Sequence, residues 1–342
     1  MARIITVNGS IEPGALGVTL AHEHLLNDER CWWLGEPSEL SERHFVHQPV
    51  TLENRGEVIY RNFYNLDNLV QMDTEIAISE VSLFRRAGGD AIVDLTSDPL
   101  GRDPAAIRAI SRATGIHVVM GCGRYVDSSM SAEQKKMAVD DIVKDIFAEF
   151  EHGVRHTGVF PGIIGEIGVS NLKNEAEVRS LKAAARAQKK LGCALNIHPP
   201  IWEQDGLKIL DIIEAEGALM GKVALSHLDF TLAHPDYHEA LGKRGIYLEY
   251  DTFGAEFMTS EGFFCPSDGD RIGIVKEMIR RGFGRKILLA GDMAFKIDFT
   301  KWGGFGYAHI LRHIVPRFRQ AGISDEQIEV MIRNNPREFL QF

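Results

Sequence analysis

The sequence has no Cys-x-x-Cys pair, no concentrated run of lysine and arginine, and no apolar stretch near the ~20 residues that cross a bilayer. The four cysteines, Cys31, Cys122, Cys193 and Cys265, lie far apart. Two of them, Cys122 and Cys193, sit in apolar, strand-like runs and read as buried free thiols, which fits a reducing compartment. A formal charge of −10 without a basic face argues against nucleic acid as the main partner. The opening MARIITVNGSIEPG has no long apolar core and does not read as a signal peptide. A cytoplasmic location with no membrane partner is therefore expected.

Also missing is a Gly-x-Gly-x-x-Gly loop after an early strand, which weakens a dinucleotide-binding reading. What is present is a rhythm of short apolar runs: VTLAHEHL (18–25), AIVDLTS (91–97), IHVVMGCG (116–123), PGIIGEIG (161–168), CALNIHP (193–199), KVALSHLD (222–229), GIYLEYDTF (245–253) and KILLAGDM (286–293). Their near-continuous apolar character suits strands buried on both faces, as in a parallel sheet. Helix signals separate them. Asp103-Pro104 opens one helix and Gly115 closes it; Asn174 with Glu177 resembles a capping box; Asp205 and Gly217 bracket another. SAEQ at 131–134 opens a long amphipathic stretch, and SDEQ at 324–327 the last helix.

Eight strands with helices between them predict an α/β fold, a (β/α)8 TIM barrel, as one domain over 1–342. One segment breaks the pattern. Residues 26–72, after the first strand, far exceed the ~2–6 residues usual for such a connection. This insertion carries Trp32, Trp33, His44 and His47, and reads equally as a flap over the barrel mouth or an oligomer contact.

In such a barrel the active site lies at the C-terminal ends of the strands. Those ends supply His22 and His24, Glu166, His198, His227 and Asp292. A lone His-x-His is weak evidence. Six ligand-type residues confined to one end of one barrel are strong, and they suit a borderline divalent metal such as zinc or manganese. Six exceed one four-coordinate site and fit two ions sharing a carboxylate. Strand alternation points His22 and His24 into the mouth and Glu23 outward, to a surface or helix contact. The other nine of the 13 histidines read as structural.

The motifs TLAHEHL, GIIGEIGVS, NIHPP, LSHLD, LEYDTFG, LAGDM and GGFGYAHIL resemble the phosphotriesterase-like members of the amidohydrolase superfamily. The closest likeness is to the branch called phosphotriesterase-related, which also carries a resiniferatoxin-binding label. The resemblance implies two divalent ions, zinc first, with manganese, iron or cobalt as alternatives. It implies that His22, His24 and Asp292 hold one ion and His198 and His227 the other. Phosphotriesterase proper bridges its metals with a carboxylated lysine near the end of the fourth strand. Here that strand contains no lysine, and Lys173 lies beyond its end. Glu166 is the available bridge, as in the glutamate-bridged branch.

The implied reaction is hydrolysis by a metal-bridging hydroxide, with Asp292 as ligand and proton carrier. Asp229 is expected either to assist proton transfer or to orient a histidine. Tyr125, Arg124 and Phe253 are expected to border the substrate, Arg124 by meeting an anionic group, and Asp251 to accept a hydrogen bond from a ligand. The expected substrate is a small carboxylic ester, lactone or amide; the branch includes N-acyl amino compounds such as N-acetyltaurine. The alternatives are a phosphotriester hydrolase and a non-catalytic binding protein for vanilloid-type small molecules. A homodimer is expected from the family habit.

Overall fold

The computed structural model describes residues 2–257 and 264–342. Eight parallel strands run in chain order: β1 (Thr19–Glu23), β2 (Ala91–Asp94), β3 (His117–Cys122), β4 (Ile163–Gly168), β5 (Ala194–His198), β6 (Val223–Leu225), β7 (Tyr247–Tyr250) and β8 (Ile287–Leu289). Each pairs with its sequence neighbour. The two outer strands meet where the Asp292 N–H donates to the His22 carbonyl at 3.3 Å, which brings the sheet round into a barrel. Helices α1 (Thr74–Arg86), α2 (Pro104–Thr114), α3 (Val139–His152), α4 (Glu175–Leu191), α5 (Gly206–Ala215), α6 (Pro235–Lys243) and α7 (Asp268–Arg280) occupy the crossovers. This is the (β/α)8 arrangement that the apolar runs predict. No helix among the described residues is long and apolar enough to cross a membrane.

The strands are apolar on both faces because both are covered. Ala21, Val93, Val119, Ile163, Ala194 and Leu288 fill the lumen, with Ile4 and Phe339 beneath them. Leu20, Ile92, Val118, Leu195 and Leu248 face the helices. Pairing is broken in two places near the mouth. The β1 register shifts between Leu20 and Glu23, and the β4 register between Ile164 and Ile167, where the Gly165–Glu166 peptide is cis.

Helix starts largely follow the sequence signals. The Asp73 carboxylate accepts the N–H of Glu75 (2.9 Å) and Ile76 (3.2 Å), and Asp103 caps α2 in the same manner. Ser324 and Gln327 form a reciprocal capping box. Three details differ. Asn174 caps α4, but Glu177 does not reciprocate: it accepts the N–H groups of Asp127 and Ser170 (both 2.8 Å) and Asn171 (3.1 Å), tying together the loops after β3 and β4. Asp205 makes no cap bond. The stretch opened by SAEQ forms only a short turn at Gln134–Lys136, and α3 starts at Val139.

A hairpin of Ile4–Thr6 and Gly9–Ile11 lies under the barrel. It sits so close that a Cβ on Gly162 would come within 2.3 Å of the Ile5 carbonyl oxygen. Arg3 and Phe342 exchange both backbone hydrogen bonds (3.1 and 3.0 Å), so the two chain ends lie side by side on this floor. At the other end, the insertion 26–72 is gathered at its base by an antiparallel pair, Asn27–Asp28 with Val70–Gln71. It is fastened to the loop after β8: the Asn27 amide donates to the Ala294 carbonyl (2.8 Å), and the Asn68 amide oxygen accepts the Ile297 N–H (3.2 Å).

Candidate metal centre

All six predicted ligand residues come together at the C-terminal ends of the strands, and the backbone there is unusual. His227 and Asp292 adopt left-handed φ values of 56° and 48°. Non-glycine residues rarely sit there, and when they do the surrounding structure holds them. The holder of Asp292 is Glu23. Its carboxylate accepts the N–H of Gly291 at 2.8 Å and of Met293 at 3.0 Å, one residue to either side of Asp292. Glu23 is expected to point outward to a surface or helix contact; its partner is instead the backbone of the loop after β8. Glu23 is fully buried there.

Glu166 is central. Its Oε1 lies 2.8 Å from both His198 Nδ1 and His227 Nε2, and 3.7 Å from His22 Nε2. Asp292 Oδ1 lies 3.2 Å from His24 Nε2 and 3.6 Å from His22 Nε2. Ligands at ~2.1 Å from one ion sit about 3.0–3.4 Å from each other, close to these separations. Two donor groups emerge, His22–His24–Asp292 and Glu166–His198–His227.

The rings are oriented from behind. His24 Nδ1 is 2.9 Å from the Thr96 hydroxyl, and His227 Nδ1 is 3.0 Å from Asp251 Oδ1. Asp251 Oδ2 also lies 3.0 Å from His22 Nδ1. Although Asp251 could join His22 and His227 in a third donor group, it faces the ring nitrogens turned away from Glu166. Such outer contacts fix the tautomer of a ligating histidine.

Electrostatics favour a cation here. Burial alone would raise the Glu166 carboxyl, but His22, His198 and His227 overcome it and hold the group well below the usual carboxylate range. Burial likewise opposes charge on His22, yet Glu166 and Asp292 push its pKa well above the ordinary value. His24 is raised to about 9 against its burial, chiefly by Asp292. Burial keeps His198 below its ordinary value, while His22 and His24 favour the protonated form among buried carboxylates, and a divalent ion can take the place of those protons. The Nε2 of His22 is buried without a hydrogen-bond partner, its nearest carboxylates standing 3.6 and 3.7 Å away. Buried polar atoms are seldom left so. The donor set of four imidazoles and two carboxylates fits divalent ions.

The substrate-side expectations divide. Tyr125 lines the cavity above the centre, its hydroxyl 3.2 Å from His198 Nδ1. Arg124 does not line it. Its guanidinium pairs with Asp145 at 2.9 Å and packs on Met137, directed away from the mouth. Phe253 is fully buried against Phe318, on the helix side of the barrel. Asp229 reaches no reacting position: it pairs with Arg271 at 3.0 Å and accepts the Asp251 N–H at 2.9 Å, bracing the residue that orients His227. Burial raises its carboxyl to about 7 in spite of Arg271.

Sequence reasoning missed most of the cavity wall. Glu29, Trp32, Leu34 and Phe63 come from the insertion 26–72, which thus forms one side of the mouth. Trp202, Phe230 and Phe295 come from loops after β5, β6 and β8. Glu249 was also missed; it lies 3.6 Å from His22 Nδ1 and accepts bonds from Asn196 and Ser226. Its place within LEYD, two residues before Asp251, was the available signal.

Comparison with known proteins agrees with this geometry. N-acetyltaurine hydrolase of Xenopus tropicalis is 34% identical over 344 residues, covering 99% of this chain and 98% of that protein. The crystal structure of a resiniferatoxin-binding protein from Rhodobacter sphaeroides superposes with a TM-score of 0.97 at 39% identity, covering 99% of this chain and 94% of that one. A phosphotriesterase homology protein from Escherichia coli gives a TM-score of 0.79 at 26% identity, covering 97% of this chain and 100% of that one. The sequence profile of the phosphotriesterase family matches residues 2–340, and the chain belongs to that family.

Proposed function

We propose that this hydrolase binds two divalent ions, zinc first, and cleaves a small carboxylic amide, ester or lactone. His22, His24 and Asp292 would hold one ion, His198 and His227 the other, with Glu166 between them. The observation that carries the reading is Glu166 Oε1, placed 2.8 Å from His198 and His227 and 3.7 Å from His22, so that one carboxylate reaches both halves of the donor set. Bound divalent ions supply a water of lowered pKa and polarise the substrate oxygen.

This chain's residues supply the rest. Asp292 is the donor whose side chain reaches the cavity most openly, at 20% exposure. Its carboxylate takes a proton from the attacking water and passes it to the leaving nitrogen or oxygen. Asp251 holds the Nδ1 of His227 so that Nε2 faces Glu166. Tyr125 and the aromatic walls exclude bulk water around the reacting bond. The relatives' name, N-acetyltaurine hydrolase, describes cleavage of an amide and supports an acyl substrate ahead of a phosphotriester.

The test is metal analysis with a hydrolysis panel of N-acyl amines, aryl esters, lactones and a phosphotriester, on zinc- and manganese-loaded protein. Two ions per chain and turnover among the acyl compounds are expected. Asp292→Asn should lower kcat by about 10²–10⁴-fold while most of the bound metal stays. Metal should also reload into apoprotein without bicarbonate, since Glu166 needs no carboxylation. Two bound ions with no turnover of any compound would favour a binding protein instead.

A further inference from the structure

We propose that the substrate carries a positive charge on the part that is not cleaved: an acyl compound ending in an ammonium group, not in a carboxylate or sulfonate. The reacting end rests on the hydrolase reading above. The charged end rests on the cavity walls alone.

The cavity over the donor set has a volume of about 290 Å³. Besides Tyr125 and the histidines of the donor set, six aromatic rings line it: Trp32, Phe63, Trp202, Phe230, Phe257 and Phe295. They interlock edge to face, Trp202 with Phe230 at 4.6 Å between centroids, and Phe63 and Phe257 with Phe295 at 5.6 and 6.0 Å. Aromatic walls of this kind attract cations through their ring quadrupoles.

Beyond Glu166 and Asp292, three carboxylates line the same space: Glu29, Glu203 and Asp298. Glu29 and Asp298 are 3% and 9% exposed, so they act in a poorly solvated setting. The Glu29 carboxylate accepts from the Asn27 amide at 3.3 Å, and Asp298 from the Phe295 N–H at 2.9 Å. Among the described residues, no lysine or arginine lines the cavity; a cation that acts on these carboxylates is Arg55, which donates to the Ile297 carbonyl at 3.3 Å and favours the charged form of Asp298. Residues 258–263, MTSEGF, contain neither type. Arg124, the cation that the sequence offers for an anionic substrate, is committed to Asp145. Burial raises the Glu29 and Asp298 carboxyls to about 7, so each ionises readily beside a cation and stays neutral beside an anion. A sulfonate held beyond the reach of the divalent ions would meet ring faces and no lining lysine or arginine. An ammonium there meets the same groups with favourable sign, in a site where charge is weakly screened.

Three probes of one shape test this on zinc-loaded protein. N-(2-aminoethyl)acetamide, N-propylacetamide and N-acetyltaurine differ only in a terminal ammonium, methyl or sulfonate. The expected order of kcat/KM is cation, neutral, anion, with at least about tenfold between the first two. The cation's advantage should shrink as salt rises, and most of it should vanish in Glu29→Gln and Asp298→Asn. A second readout is independent of turnover: quenching of tryptophan fluorescence by propyltrimethylammonium, with propanesulfonate as control. Saturable quenching by the cation alone is expected. Preference for N-acetyltaurine, or equal turnover of all three probes, overturns the proposal, and so does absence of cation binding. If no probe turns over while the cation still binds, the hydrolase reading fails and the charge preference stands.

Discussion

Glu23 lies between His22 and His24 of the donor set and yet serves another strand's end. Its two oxygens grip the N–H groups flanking Asp292, a residue held at φ 48°. Burial pushes its carboxyl up to about 8, a cost those two bonds offset only in part. Glu23 is thus a positioning residue. Glu23→Gln keeps an acceptor but weakens the grip, and should lower kcat about tenfold or more with little change in KM. Glu23→Ala leaves two buried N–H groups unpaired and should also cost roughly 1–3 kcal/mol of stability. Steady-state kinetics with metal analysis decides: unchanged kcat in Glu23→Gln at full metal content rejects the role. The sequence could not show this. Period-two alternation separates Glu23 from the face of His22 and His24, but it carries no trace of the two N–H groups, 268 and 270 residues away, that Glu23 accepts. The six ligand-type residues were legible, because a barrel gathers the strand ends and those ends could be read from apolar runs.

At the scale of elements, β1 to β8 were visible because each is covered on both faces, so their sequences are almost unbroken apolar runs. Several helix starts were visible through Asp103, Asn174 and Ser324. The insertion 26–72 was seen as an anomaly but could not be placed. What positions it are hydrogen bonds between residues far apart in sequence, Asn27 to Ala294 across 267 residues and Asn68 to Ile297 across 229. Periodicity carries no trace of such bonds. With Trp32 stacked near His198 at 6.0 Å, the insertion contributes wall and not chemistry. Trp32→Ala should therefore raise KM, by a factor matching roughly 1–3 kcal/mol of lost packing, and change kcat far less. Equal loss in kcat at unchanged KM would move Trp32 into the reacting geometry.

Taken as a whole molecule, the barrel encloses an unusual density of charge at one end. Glu23, Glu166, Glu249 and Asp251 are each at most 1% exposed, with His22 fully buried among them. Divalent ions would replace protons there and bind the folded chain alone. Chelation should therefore lower Tm by several degrees, and excess zinc should restore it. A thousandfold excess over Kd is worth about 4 kcal/mol. Binding should release protons, measurable in weakly buffered solution. A Tm indifferent to chelator, in protein shown to lose its metal, would mean the donor set is stable without ions.

The pairing of Arg3 with Phe342 on the barrel floor gives the molecule a property unrelated to its chemistry. The backbone nearly forms a ring, joined where it is farthest from the mouth, so the order in which the eight strand–helix units are read is arbitrary. A short glycine–serine bridge between the present ends, with a new opening at the Arg244–Gly245 turn, should yield a chain that folds to the same barrel. Its turnover should match the parent's, since every ligand keeps its strand and every strand its neighbours. The site belongs to the circle, not to the thread.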